Sequence, residues 1–60
     1  MKYYTALCRK KGSRTYYLCG YRSNDLEVLR DMIYADIRNG VYAAAKIVEY
    51  ETGKLIEKVV

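Results

Sequence analysis

Side chains that commonly carry out catalysis are scarce in this 60-residue sequence. It contains no histidine, the residue most often used for proton transfer near neutral pH. The four glycines stand singly along the chain, so there is no glycine-rich loop of the kind that cradles phosphates. We therefore predict that the protein is not an enzyme and uses neither a cofactor nor a metal ion.

Two cysteines, Cys8 and Cys19, and a group of carboxylates are the remaining candidates for chemistry. Facing each other on neighbouring strands, the cysteines can form a disulfide or half a metal site, but the simpler interpretation is a buried pair of small apolar side chains. We expect their thiols to be reduced. The carboxylates are Asp25, Glu27, Asp31 and Asp36. We expect them to lie on the outer surface of a helix beside Arg30 and Arg38, where they form ordinary solvated ion pairs.

The distribution of charge is the most informative feature of the sequence. Residues 1–22 carry six basic side chains and no acidic one, whereas the other 38 residues carry five basic and seven acidic side chains. The net charge of +4 is thus the sum of +6 and −2. Such asymmetry indicates an anionic partner.

The basic segment also contains tyrosines, the only aromatic residue type in the chain. A two-stranded ribbon fits the major groove of DNA, basic side chains neutralise phosphates, and tyrosine rings can stack on unpaired bases. DNA, RNA and an acidic protein surface all remain possible partners, and the alternative is a solvated hairpin tip. The predicted contact residues are Arg9, Lys10, Lys11, Arg14, Tyr16 and Arg22.

The elements that position these residues begin with a hairpin over residues 1–22. Gly12-Ser13 separates two runs rich in Tyr, Thr and Leu, as in a tight turn between strands. With a two-residue turn, alternation divides the hairpin into two faces. We expect the first face to lie in the core: Tyr4, Ala6, Cys8, Tyr17, Cys19 and Tyr21. We expect the second face to be open: Tyr3, Leu7, Arg9, Lys11, Arg14, Tyr16, Leu18 and Arg22.

A helix is predicted over residues 24–39. Asn24, or Ser23 one residue earlier, can cap its first turn together with Glu27. Leu26, Leu29, Ile33 and Ile37 recur at helical spacing and form one apolar stripe. Asn39-Gly40 supplies a typical left-handed stop.

Residues 41–60 predict a second hairpin, turning at Thr52-Gly53. The chain is therefore expected to be a single α+β domain, 1–60, with ββαββ order. It would have a four-stranded, mostly antiparallel sheet with one helix packed on one face. Both faces of the second hairpin are largely apolar, and one helix can cover only one of them. We therefore expect a homodimer, which would also enlarge a small core. Its interface residues would be Tyr42, Val48, Tyr50 and Leu55.

The N-terminal residues, Met1-Lys2-Tyr3-Tyr4, do not resemble a signal peptide, and no segment approaches membrane-spanning length. A chain that opens on Met1 is consistent with a complete small gene product. We expect a cytoplasmic protein that does not bind membranes.

Residues 3–38 resemble the N-terminal arm-binding domain of phage-type tyrosine integrases. Lys10-Lys11-Gly12-Ser13-Arg14 resembles that family's basic turn, and Gly20-Tyr21 followed by Ser23-Asn24-Asp25-Leu26 resembles its step into the helix. The resemblance implies that the sheet contacts DNA, with Arg9, Lys11, Arg14 and Tyr16 in the matching region. The family's usual tryptophan near the first strand is missing, and residues 41–60 have no counterpart.

Two other functions fit the same residues. One is a protein-binding inhibitor or adaptor of phage or mobile-element type, acting on a host or defence protein through its tyrosine-rich sheet or a strand edge. The other is a dimer that sequesters a small anionic ligand between its sheets.

Overall fold

A computed structural model describes residues 2–59, with a single antiparallel sheet and a helix across one of its faces. The elements are β1 (Tyr4–Arg9), β2 (Tyr17–Leu18), α1 (Leu26–Arg38), β3 (Ala44–Glu49) and β4 (Leu55–Lys58). The strand order is β2-β1-β3-β4, and α1 packs on the two central strands. The predicted α+β fold with ββαββ order is therefore confirmed.

The core joins the apolar stripe of α1 to small side chains of the central strands. Leu29 and Ile33 are fully buried, and Leu26 and Ile37 pack at the ends of the stripe, as predicted. Small residues on the strands let the helix lie close to the sheet. The sheet residues buried beneath it are Ala6, Cys8, Ala45 and Ile47.

The first hairpin has the predicted register but a different turn. Leu7 faces Leu18, the register that a tight turn at Gly12-Ser13 produces. The hydrogen-bonded turn instead runs from Lys10 to Ser13, whose N–H donates to the Lys10 carbonyl at 3.0 Å. Gly12 has φ +86°, the positive value that only glycine adopts readily at the third position of such a turn.

The predicted second strand, 14–22, is interrupted after Cys19. The Cys19 N–H donates to the Ala6 carbonyl at 3.1 Å, and the next paired residues are Tyr4 and Ser23, which exchange hydrogen bonds of 2.7 and 3.0 Å. Residues 20–22 thus oppose the single residue Thr5. This outward bulge, residues 20–22, is the main irregularity of the first hairpin.

The helix is capped by Asp25, so the predicted caps at Asn24 and Ser23 are wrong. The Asp25 carboxylate accepts from the N–H groups of Glu27 at 3.0 Å and Val28 at 3.3 Å. Ser23 instead stabilises the bend just before the helix, where its hydroxyl accepts a hydrogen bond from the Asp25 N–H at 3.0 Å. Ser23, Asn24 and Asp25 all have side chains that can cap a helix. The backbone N–H groups of the first turn bond to the third of them, Asp25.

At its other end, α1 stops as predicted. Asn39 is the C-cap, and its N–H donates to the Ala35 carbonyl at 2.9 Å. Gly40 follows with φ +79°, and its N–H donates to the Ile37 carbonyl at 3.1 Å.

The predicted two-residue turn at Thr52-Gly53 is wrong. The Glu49 N–H donates to the Lys54 carbonyl at 2.8 Å, which leaves the four residues 50–53 as the loop. A register shift between Ile47 and Val48 then moves β4 back by one residue, so that Lys46 pairs with Lys58. Alternation along this hairpin predicts Val59 on the same face as Tyr50, but the shift turns Val59 to the helix side, where it packs against the core.

The register of β4 also decides which charged side chains face the helix. Glu57 faces Ile47 and receives hydrogen bonds from Arg30 of α1, from Nε at 3.0 Å and from Nη2 at 2.7 Å. Asp36 accepts from the Tyr21 hydroxyl. The expectation that Arg30 and Asp36 form ordinary solvated pairs along the helix is therefore wrong, because both tie the helix to the sheet layer.

Within residues 2–59, no helix has the length and hydrophobicity needed to span a bilayer.

The cap assignment predicts that Asp25→Ala lowers the free energy of unfolding by about 0.5–2 kcal/mol, because two helix N–H groups lose their acceptor. Asp25→Asn is the matched control and should retain most of the stability, since its side-chain oxygen can accept the same bonds. Urea unfolding followed by circular dichroism measures both. Equal losses in the two variants, or no loss in Asp25→Ala, would contradict the assignment.

Candidate functional site

The candidate site is the side of the sheet that α1 does not cover, called here the open face. Alternation along the strands, starting from the buried Ala6 and Cys8, assigns its members. Ring contacts place Tyr16 and Arg22 there as well. The open face consists of Tyr3, Thr5, Leu7, Arg9, Tyr16, Leu18, Arg22, Ala44, Lys46, Val48, Tyr50, Leu55 and Lys58.

The open face carries four basic side chains and, among the described residues, no acidic one. The cations are Arg9, Arg22, Lys46 and Lys58. The seven acids lie on or just before α1, on the helix side of β3 and β4, and in the loop between those strands. In that order they are Asp25, Glu27, Asp31, Asp36, Glu49, Glu57 and Glu51. The two surfaces of this small domain therefore differ strongly in charge.

Lys46 and Lys58 lie directly opposite each other on β3 and β4. Like charges in such a cross-strand pair reduce stability. The pair therefore adds positive potential to the open face at a cost to the fold.

These two lysines were missed as site residues. Lys46 alternates in phase with Ala44 and Val48, so its place on their face was already present in the strand pattern. Simple alternation from Leu55 places Lys58 on the face opposite to Lys46, and the one-residue register shift in β4 is what brings the two lysines to the same face.

The six predicted contact residues divide between the open face and the hairpin tip. Arg9, Tyr16 and Arg22 lie on the open face. The side chains of Lys10, Lys11 and Arg14 are exposed around the turn of the first hairpin, where they extend the positive surface beyond the sheet. Within residues 2–59, these three side chains take part in no ion pair or hydrogen bond.

Arg9 is held in place by the turn. Its Nη1 donates to the Ser13 carbonyl at 2.9 Å, and the residue is half-buried. This bond fixes the guanidinium beside the hairpin tip, between the exposed cations of the turn and the sheet.

Tyrosine rings hold two of the other cations. The Arg22 guanidinium carbon lies 4.9 Å from the ring centroid of Tyr3 and 5.4 Å from that of Tyr50. The Lys46 Nζ lies 4.2 Å from the ring centroid of Tyr16. All three distances are within the range of cation–π attraction. The rings thus orient charged groups on the open face without neutralising them.

A shallow pocket of about 330 Å³ opens beside the bulge. It is bounded by the β1 and β2 strands, by the bulge, and by the start of the β3–β4 loop. The Thr5 hydroxyl, which is buried, donates to the Tyr21 carbonyl and so fixes the bulge against β1. The lining residues are Thr5, Leu18, Gly20, Tyr21, Arg22 and Tyr50.

The four predicted dimer residues do not form one patch. Tyr50 and Leu55 are exposed on the open face. Val48 lies on the same face but is buried, and Tyr42 packs against the core on the helix side, so neither is available to a second copy as predicted. The ring centroid of Tyr42 lies 6.4 Å from that of Tyr17, and burial raises the pKa of the Tyr42 phenol. The strand alternation that grouped Tyr42 with Val48 does not hold, because β3 begins only at Ala44.

The cysteines lie on the helix side, away from the open face. Both are free thiols, with Cys8 buried and Cys19 half-buried. Burial, reinforced by the neighbouring Cys19 thiol, raises the pKa of Cys8 to about 12. The thiolate of Cys8 is thus strongly disfavoured, which makes it a poor nucleophile at neutral pH. Within residues 2–59, no group of three or more Cys, Asp or Glu side chains is arranged to hold a metal ion.

Comparisons with known proteins give no match: no family model, no curated protein and no solved structure is similar to this chain. The resemblance of residues 3–38 to integrase arm-binding domains therefore stays a prediction.

Tyr21 provides a pH-dependent tie between the bulge and the helix. Its hydrogen bond to Asp36 raises the pKa of the phenol to about 12, from an ordinary value of 10.0. The bond stabilises the protonated phenol, so its contribution to folding is complete below pH 10 and is lost as the pH rises toward 12.

We therefore expect the urea midpoint of the wild-type protein to fall as the pH rises from 9 to 12. Tyr21→Phe should lower the midpoint at pH 8 and make the alkaline fall shallower, though not absent, because Cys8 and Tyr42 also have raised pKa values. Tyr34→Phe, at an exposed helix position, is the matched control. Parallel curves for the wild type and Tyr21→Phe would show that the bond to Asp36 contributes nothing.

Proposed function

We propose that the protein binds nucleic acid through the open face. The observation that carries this proposal is the gathering of Arg9, Arg22, Lys46 and Lys58 on one sheet surface, where residues 2–59 place no acidic side chain. Phosphate groups are the natural counterions for such a surface, and release of their condensed cations drives binding. The Lys46–Lys58 pair, which is unfavourable in the free protein, would be relieved by a bound phosphate.

The tyrosines support a nucleic-acid ligand over a simple polyanion. Tyr3, Tyr16 and Tyr50 place aromatic rings among the cations, and bases stack on such rings. The hairpin tip extends the same surface with three exposed cations, so that a chain of phosphates can follow it beyond the sheet edge. A surface of this composition provides both positive charge for the backbone and flat apolar area for the bases.

The resemblance to integrase arm-binding domains supports the same ligand class. It implies DNA contacts by Arg9, Lys11, Arg14 and Tyr16. Arg9 and Tyr16 belong to the open face, and the other two lie at the hairpin tip beside it. The ligand is proposed as DNA or RNA.

The salt dependence of binding tests the proposal. Affinity for a labelled oligonucleotide, measured by fluorescence anisotropy, should fall steeply between 50 and 300 mM salt, linearly in a double-logarithmic plot. Lys46→Ala and Lys58→Ala should each weaken binding and reduce the magnitude of the slope by about 1. Lys54→Ala is the matched control, because it removes the same charge from the β3–β4 loop region outside the open face.

Two outcomes would contradict the proposal. One is an affinity that is flat in salt. The other is a loss of affinity in Lys54→Ala as large as in Lys46→Ala, since binding would then follow net charge rather than the open face.

A protein partner is the second candidate, favoured by exposed apolar side chains at the edges of the sheet. Leu18 on β2 and Leu55 on β4 are 63% and 55% exposed. Together with Tyr50 and Arg22 they provide the residue types that dominate protein interfaces. An inhibitor or adaptor acting on an acidic protein surface would use the same face, and nucleic acid would compete with that partner.

The charge of the open face opposes the predicted homodimer. A two-fold interface places the same patch of both protomers together, so Lys46, Lys58, Arg9 and Arg22 would meet their own copies. A small anionic ligand between the two faces would neutralise this repulsion, and that is the arrangement in which a dimer is electrostatically reasonable.

We expect the protein to be a monomer in sedimentation equilibrium at 50 mM salt, where like charges repel most strongly. Adding nucleotides at the same ionic strength tests for a ligand-bridged dimer. A stable dimer at 50 mM salt without ligand, abolished by Tyr50→Asp, would show that the open face is occupied by a second copy and would contradict the nucleic-acid proposal.

A further inference from the structure

The backbone beside the pocket lacks regular strand pairing. Where residues 20–22 bow away from β1, the regular ladder between β1 and β2 is interrupted. Within residues 2–59, the N–H groups of Gly20, Tyr21 and Arg22 donate to no protein acceptor. All three residues line the pocket, so a backbone N–H that faces it can donate to an entering ligand.

The walls of the pocket favour a flat, partly apolar ligand. Leu18 is 63% exposed and Tyr50 is 50% exposed, so neither is needed by the core. Arg22 forms the charged end, and its guanidinium is held over the rings of Tyr3 and Tyr50. A bare phosphate would use Arg22 but would leave the leucine and the tyrosine ring without a role.

A nucleobase matches this combination. Its faces are apolar and stack on aromatic or aliphatic side chains, and its edge carries carbonyl and ring-nitrogen acceptors for backbone N–H groups. The volume of about 330 Å³ lies at the lower end of small-molecule pockets. It suits one nucleotide rather than a base pair.

We propose that the pocket formed by Leu18, Tyr50 and the bulge receives one unpaired base of a single-stranded nucleic acid. This inference rests on the proposed function, and it names the form of the ligand. The neighbouring cations bind the phosphates on either side of the inserted base. Bases in a duplex are stacked and paired, and they cannot enter a pocket without being extruded. The protein therefore binds single strands more tightly than duplexes of equal charge.

The test compares three labelled probes by fluorescence anisotropy at one salt concentration. They are a random-sequence DNA hexamer pool, a hexamer of abasic sugar-phosphate units, and a duplex of six base pairs whose two strands are joined by a linker without bases. The abasic probe keeps the phosphates of the hexamer but has no bases. We expect it to bind roughly 5- to 150-fold more weakly, the range for loss of a stacked base. The duplex should also bind more weakly per phosphate.

A pair of variants links this effect to the pocket. Leu18→Ala should weaken binding of the hexamer pool but not of the abasic probe. Val28→Ala is the control, because Val28 is exposed on α1, outside both the open face and the pocket. Leu18 is 63% exposed and Val28 is 48% exposed, so neither change should unfold the protein.

The outcomes separate this inference from the proposed function. Equal, salt-dependent affinity for the hexamer and the abasic probe would overturn the base pocket and leave the nucleic-acid interface standing. The base pocket would also be overturned if the duplex bound more tightly than the hexamer, or if Leu18→Ala and Val28→Ala had the same effect on binding. Absence of salt-dependent binding to all three probes would overturn the proposed function itself.

Discussion

The packing of Leu29 and Ile33 against small side chains of β1 and β3 is the contact on which the rest of the structure depends. A domain of this size has few fully buried side chains, so these two contribute a large share of its hydrophobic stabilisation. By placing α1 over the central strands, they bury one face of the sheet and leave the other without cover. Everything proposed for the open face follows from this one-sided packing.

One-sided packing also sorts the charges. Acidic residues of α1 and the helix-side strand positions remain with the helix, where Glu57 bonds Arg30 and Asp36 accepts from Tyr21. Within the described part of the chain, the cations on the open face have no acidic side chain beside them, and tyrosine rings orient two of them. A face that served only as a solvated surface would gain stability from mixed charges. Its uniform sign and the opposed pair Lys46 and Lys58 therefore indicate a requirement outside the fold itself.

The sequence predicts those features that are encoded locally. The α1 stripe has helical spacing, and a glycine between two strand-like runs marks the first hairpin, so the element order and the core face of β1 follow from pattern alone. In the second hairpin, the loop length and the face of Lys58 could not be predicted. Thr52-Gly53 does not determine the loop length, and a one-residue register shift within β4 changes the face on which Lys58 lies. The bulge could not be predicted for another reason. In the sequence Gly20 resembles an ordinary strand end, and the bulge follows only from the pairing of Tyr4 with Ser23.

If nucleic acid binds the open face as proposed, the outer surface of α1 stays free in the complex. Amide chemical-shift mapping by NMR, during titration with a single-stranded oligonucleotide at low salt, distinguishes the two surfaces. We expect the largest shifts on β1, on residues 16–22, and around Lys46 and Lys58, while the outward positions of α1 stay unchanged. Shifts concentrated on the exposed surface of α1, with little change on the open face, would contradict it.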